Sequence, residues 1–314
     1  KLDADIKAYP LSDSEAQELL DSISIEANKT ENVVSFKTTI KSNPNYAFFG
    51  SGTNNGERFR RETRIKMTLY IPATVSLKLT NKYGDVNMED FAGAVDVNIK
   101  YGNFTANNLS NARNNFEMRY GKLKLNSVNE LDLDVQYTNV DIETIKGDAK
   151  IEQRYNDLTI GTVNNLNLNT RYVNTDISSI KGDAIINQQY NSLRIGEVGK
   201  LDLTTRYTNA KIKNLNGNGD FNMQYNTLDI SNITAACKTL NIETRYVNTD
   251  LAFANGYDAN FDITASNGSF KYGNNVTAKR ISEDSRKETY TGKIGKGSSA
   301  NVNVTANYGS TRFN

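Results

Sequence analysis

Carboxylates and cations are the residues here with most scope for chemistry, because the 314-residue chain has no histidine and a single cysteine. Without histidine there is no Ser-His-Asp or Cys-His nucleophile, no His-ligated zinc and no proximal haem ligand. With one cysteine there is no disulfide framework, CxxC couple or thiolate metal cluster. What remains is carboxylate chemistry. Asp132, Asp134, Asp141 and Glu143 are close in sequence. Glycosidase catalysis needs two carboxyl groups ~5–9 Å apart with one pKa raised, and β-helical polysaccharide lyases use Asp, Lys and Arg on a sheet face. These four, however, occupy positions that recur in every neighbouring stretch of the chain, so no catalytic residue is assigned. The glycine-aspartate calcium nonapeptide is also missing, and neither a metal nor a cofactor is expected.

The cations follow a beat. Tyr83, Tyr101, Tyr120, Tyr137, Tyr155, Tyr172, Tyr190, Tyr207, Tyr225 and Tyr246 are each followed within two residues by Gly or Asn, at gaps of 17 to 21. The residue before each tyrosine is Lys82, Lys100, Arg119, Gln136, Arg154, Arg171, Gln189, Arg206, Gln224 or Arg245. Two positions earlier stand Glu117, Asp134, Glu152 and Glu243, or Asn and Thr. As parallel columns on one face, Arg119, Arg154, Arg171, Arg206 and Arg245 with Asp134 and Glu152 form a candidate docking surface for a glycan or protein. The simpler reading is a solvated face with opposite charges side by side.

The elements that position these columns are short strands. Around Tyr137, Leu131, Leu133 and Val135 precede, and Val140, Ile142 and Ile145 follow; around Tyr172 the same places hold Leu166, Leu168, Thr170, Thr175, Ile177 and Ile180. Alternation on both sides of a turn means two half-buried strands per unit. One unit cannot bury its own apolar side, so units must stack. The predicted fold is all-β: a right-handed parallel β-helix (β-solenoid) of about twelve 17–21-residue coils. Ala265 is placed at the tyrosine position of one late coil, and Tyr308 marks the last. Extending the alternation from the leucines points the tyrosines inward, as a stacked column filling a thin core. A finer 35-residue beat alternates Tyr-x-Asn (Asn139, Asn174, Asn209) with Tyr-Asn-x (Asn156, Asn191, Asn226). Lys146-Gly147-Asp148 and Lys181-Gly182-Asp183 share that beat and read as corners rather than recognition tripeptides. The repeat therefore accounts for many of the 44 asparagines through corner turns and amide ladders, without disorder or prion-like assembly.

Outside the repeat, residues 1–72 read as a small α+β N-terminal cap. Ser12 to Glu15 form a capping box opening a helix to about Ser22. Strands are expected at 23–27, 33–40 and 59–71, with a polar loop at 41–57. Residues 73–271 are the solenoid, and 272–314 a charged excursion followed by a final coil. In the 41–57 loop, Tyr46, Phe48 and Phe49 read either as a cover for the first coil's open end or as an exposed aromatic patch for a partner or a membrane surface. The strand with Arg58, Arg60, Arg61, Arg64 and Lys66 reads as a solvent face, and Cys237 as a buried filler.

Lys78–Val86, the Tyr-Gly-Asn and Tyr-Gly-Lys corners, and Tyr290–Gly297 with Asn307-Tyr-Gly-Ser resemble the bacterial adhesin-type domain family of unknown function, especially its Bacteroidetes branch. That resemblance, over residues 23–314, implies a right-handed β-helix in an exported protein of the periplasm, outer membrane or cell surface. It supplies no catalytic motif. Charge agrees with the absence of a nucleic-acid partner: 37 basic residues balance 36 acidic ones. No run reaches the ~18 apolar residues of a membrane helix. The start at Lys1 is read as a trimmed or mature chain, so any signal peptide or lipid anchor would lie upstream of it. The expected function is non-enzymatic, an adhesin or scaffold presenting a repetitive polar face to a surface protein or glycan. The alternative is carbohydrate binding or degradation through outward carboxylates.

Overall fold

The computed structural model describes residues 1–314 except 10–11, 42–49, 55–56, 285 and 299; at 50–54, 57–62 and 283 only the backbone is described. The chain divides into two compact units, Lys1–Pro72 and Ala73–Asn314.

The first unit contains β1 (Leu2–Tyr9), α1 (Asp13–Asp21), β2 (Ile23–Lys29), β3 (Val34–Ile40), β4 (Gly50–Asn54) and β5 (Glu57–Leu69). Helix α1 starts as expected: Ser12 is extended and its hydroxyl accepts from the Glu15 N–H, satisfying one of the donors left over at a helix start. Leu19 is its buried apolar anchor. The hairpin β2–β3 turns at residues 30–33, where the Thr30 N–H donates to the Val33 carbonyl. Two features depart from the sequence reading. Leu2–Tyr9 is a strand, paired antiparallel with β5, although it follows no repeat. The expected 41–57 loop holds β4, which closes a hairpin onto β5.

The second unit is a parallel β-solenoid. Its elements are β6 (Leu77–Lys82), β7 (Val86–Met88), β8 (Val95–Lys100), β9 (Phe104–Leu109), β10 (Asn114–Val128), β11 (Leu131–Gln189), β12 (Ser192–Arg206), β13 (Asn209–Leu215), β14 (Gly219–Ile233), β15 (Thr239–Phe253), β16 (Ala259–Ser266), β17 (Ser269–Tyr272), β18 (Val276–Asp284), β19 (Lys287–Ile294), β20 (Asn301–Asn307) and β21 (Ser310–Phe313). Pairing is so continuous that β11 runs through several corners without interruption. Successive turns pair in parallel with matching residues opposite: Phe116 faces Leu133 and Leu123 faces Val140. The alternating apolar residues of both strands of each turn meet in one core, where Leu133, Ile142, Ile151, Leu168 and Ile186 are completely buried. Each turn contributes only a few such side chains, so the core exists only because the turns stack.

Ten turns, marked by Tyr83 to Tyr246, follow one another in chain order. The end of the stack is not sequential. Strand β20 pairs in parallel with β15 on one side and with β16 on the other. The last coil of the chain thus sits between two earlier ones, and β21 likewise lies between β15 and β17. The charged segment after Tyr272 is an antiparallel hairpin, β18–β19, whose β19 pairs with β16. Ala265 does not hold the tyrosine place. It is buried opposite Ala306, and the left-handed corner position opposite Tyr308 belongs to Asn267, at φ 51°.

Candidate functional site

The tyrosines form a single ladder. Eleven rings, from Tyr83 through Tyr246 to Tyr308, stack face to face at 4.5–5.3 Å between centroids, with interplanar angles of 13° or less. Ten such steps give a column roughly 50 Å long at the spacing of hydrogen-bonded strands. The column stacks as expected but on the opposite side of the wall: its rings line the surface rather than the core, with Tyr83 62% and Tyr155 37% exposed. The reason is backbone geometry. Every ladder tyrosine has φ between 52° and 68°, in the left-handed region. Alternation between faces holds only for extended backbone, so one left-handed residue resets which side the chain faces.

The 35-residue beat also has a structural cause. In the Tyr-Asn turns a second left-handed residue follows, Asn156, Asn191 or Asn226, as in a type I′ turn. In the Tyr-x-Asn turns the residue after tyrosine instead points inward: Thr138, Val173, Thr208 and Val247 are buried. The side chain two residues before tyrosine compensates. It is Val135, Thr170, Thr205 or Thr244 where the corner is filled, and Gln153, Gln188 or Met223 where it is not. Gln153 Nε2 donates to the carbonyls of Thr138, Tyr155 and Asp157, and Gln188 Nε2 to those of Val173, Tyr190 and Ser192. Ring spacing follows the same beat, 4.5 Å within each pair of turns (137/155, 172/190, 207/225) and 5.3 Å between pairs. Sequence reasoning saw the beat but not these buried glutamines, whose signal was an amide at an otherwise apolar or threonine position.

The predicted site residues come together along the ladder. Arg171 and Arg206 lie 5.2 Å from the ring centroids of Tyr172 and Tyr207, and Arg245 lies 5.6 Å from that of Tyr246; Lys82 and Lys100 do the same at 5.2 Å over Tyr83 and Tyr101. Because the faces of Tyr101, Tyr172, Tyr207 and Tyr246 are covered by the rings stacked on either side, these cations flank the column rather than sit over an open face, and no cation–π stabilisation is assigned to them. Arg119 pairs with Glu117 at 3.3 Å. Arg154, before Tyr155, is exposed in the same column. Asp134 is exposed beside Glu117 in register, and Glu152 lies 3.7 Å from Lys150. These pairs are solvent-facing and contribute little to stability. Tyr46, Phe48 and Phe49 lie outside the described residues. Of the basic strand, Arg64 lies 5.6 Å from the Tyr9 ring centroid and Lys66 is exposed, whereas the side chains of Arg58, Arg60 and Arg61 are outside what is described.

The four carboxylates closest in sequence are divided by the tyrosine corner. Asp132 and Asp134 precede Tyr137, whereas Asp141 and Glu143 follow it on the other strand of the turn. Among the described residues no group of three His, Cys, Asp or Glu side chains is placed to hold a metal ion, and no helix is long and apolar enough to cross a membrane. Away from the ladder, Tyr257 donates its hydroxyl to the buried Cys237 carbonyl. Burial pushes both the Tyr257 phenol and the Cys237 thiol above their ordinary pKa values. The Tyr137 phenol is also raised, chiefly by the neighbouring Tyr155 hydroxyl.

Asparagines do bond between turns at the corners, but with Asp, Ser or Thr as the partner rather than in a ladder of amides. Asn103 Nδ2 donates to Asp85 and Asn174 Nδ2 to Asp157, while Ser192 donates to Asn174 and Thr227 to Asn209. At the Lys-Gly-Asp corners, Asn165 Nδ2 donates to Asp148 and its Oδ1 accepts from the Asp183 N–H. With the fold and ladder described, comparisons with protein-family models, curated proteins and solved structures return no match.

Proposed function

We propose that this chain is a non-enzymatic binding scaffold of the bacterial envelope, an adhesin-type protein that docks a surface protein or glycan along its tyrosine-flanked face. The supporting observation is the ladder itself: a roughly 50 Å row of phenols with a parallel column of Arg, Lys and Gln, repeating at one-turn spacing. Because each ring face is covered by its neighbour, the ladder offers edges and hydroxyls rather than open faces. A ligand meets a rigid line of donors whose order is fixed by the sheet, so little ordering cost accompanies binding. The sequence resemblance to adhesin-type domains points the same way and is the basis for placing the protein outside the cytoplasm.

The test uses the full chain immobilised on beads. The beads are expected to adhere to a surface coated with polysaccharide or extracellular-matrix protein, and the soluble chain to release no reducing ends from any polysaccharide. Turnover of a polysaccharide overturns the non-enzymatic reading, and failure to adhere to any of these surfaces overturns the docking role.

A further inference from the structure

The outward column three residues before each tyrosine changes character along the stack. It carries Glu117, Asp134 and Glu152, then Asn169, Asn187, Thr204 and Asn222, and returns to acid at Glu243. Four consecutive turns therefore lack a carboxylate in this column, and there the sheet face dips into a depression of about 220 Å³. Its lining includes Asn169, Asn187, Gln189, Thr204, Asn222 and Gln224, together with Arg206.

A second observation concerns the hydrogen bonds of these amides. Several amide side chains elsewhere on the solenoid bond along the stack, Asn98 to Glu117, Asn126 to Asn107, Asn232 to Asn214 and Asn303 to Asn241, although Asn115, Gln136 and Asn167 on the same sheet face do not. The amides of Asn169, Asn187, Gln189, Asn222 and Gln224 bond no other described group of the protein. Each offers both a donor and an acceptor to whatever covers it. Beside them Ile185, an outward isoleucine in a polar column, is 50% exposed.

We infer that this depression is a subsite for a neutral glycan lying along the stack. Sugar hydroxyls need paired donors and acceptors, which free amides supply, while Ile185 suits the C–H side of a pyranose. A pyranose residue in an extended chain spans about one turn, so the four turns accommodate about four sugars at strand spacing. Asp202 and Asp220 beside the depression, with Glu152 and Glu243 beyond its ends, disfavour a polyanion. The inference rests on the docking role proposed above and names the ligand class and place.

Isothermal titration of the full chain with neutral hexasaccharides of β-1,4-linked glucose, mannose and xylose tests it, with oligogalacturonate as the acidic comparator. At least one neutral hexasaccharide is expected to bind, with an affinity that persists in high salt. The variant N187A/Q189A/N222A changes only outward side chains and is expected to weaken binding about tenfold or more. The variant K211A/K213A, on the far side of the tyrosine corner, is expected to bind as the parent does. No neutral binding, binding of the acidic chain alone, or an unchanged N187A/Q189A/N222A affinity overturns the inference. Beads that still adhere in that event leave the broader docking role standing.

Discussion

At the residue scale, the tyrosine corner is a compromise between backbone and side chain. A non-glycine residue in the left-handed region costs roughly 1–2 kcal/mol, and it recurs at every rung of the ladder. Stacking repays part of that, at about 0.5–1.5 kcal/mol for each aromatic pair beyond the area it buries. The balance makes Tyr190 (φ 68°) a useful probe. Tyr190→Asn is expected to lose the stacking but keep a tolerated left-handed residue, as Asn267 does at the end of the stack. Tyr190→Val adds β-branching where φ is positive and is expected to be less stable than Tyr190→Asn by about 1 kcal/mol or more. Urea midpoints of the two variants check this; equal midpoints mean that corner strain is not what selects the residue. The tyrosine beat was plain in the sequence because each coil needs the same corner. The direction of the rings was not, because period-2 reasoning carries no information across a left-handed residue. The clue was the Gly or Asn within two residues after each tyrosine, a mark of backbone that has left the extended region.

At the scale of elements, the strands were legible wherever apolar residues alternate, and the order of the last ones was not. Val302 and Val304 match Leu240 and Ile242 as well as they match Phe261 and Ile263. A pattern that fits both neighbours equally cannot say that it lies between them. The amide depression was hidden in a similar way: an Asn for Glu exchange in an outward column looks like ordinary surface variation until its hydrogen bonds are counted. The interleaved topology makes β20 and β21 the keystone of the C-terminal end. Ending the chain after Ala300 leaves β15 and β16 without the strand that joins them, exposing the apolar edges of Leu240, Ile242, Phe261 and Ile263. In a stack where each turn contacts only its neighbours, the damage stays local. Hydrogen exchange on the truncated chain is expected to show lost protection over 239–294 and near-parent protection from Tyr120 to Tyr207. Uniform loss along the stack contradicts this nearest-neighbour picture.

At the scale of the whole molecule, composition and architecture meet in the response to pH. No side chain has an ordinary pKa between roughly pH 5 and 8, since histidine is absent. The groups whose values clearly rise are phenols and a thiol, and Tyr257 rises most strongly, through burial beneath its bond to the Cys237 carbonyl. The sign follows from linkage. A folded state that holds a proton more tightly than the unfolded chain has its full stability below the unfolded pKa, about 10 for tyrosine, and loses it as pH climbs above that value. Within the ladder the Tyr137 phenol is raised as well, chiefly by the hydroxyl of Tyr155 beside it. The urea midpoint is therefore expected to stay flat from roughly pH 6 to 8 and to fall above about pH 10. Tyr257→Phe lowers the neutral-pH plateau by removing the hydrogen bond, about 0.5–1.5 kcal/mol, but makes the alkaline fall shallower because no buried phenol remains there to ionise. A midpoint that moves between pH 6 and 8, or a variant whose alkaline fall is as steep as the parent's, contradicts the assignment of that fall to Tyr257.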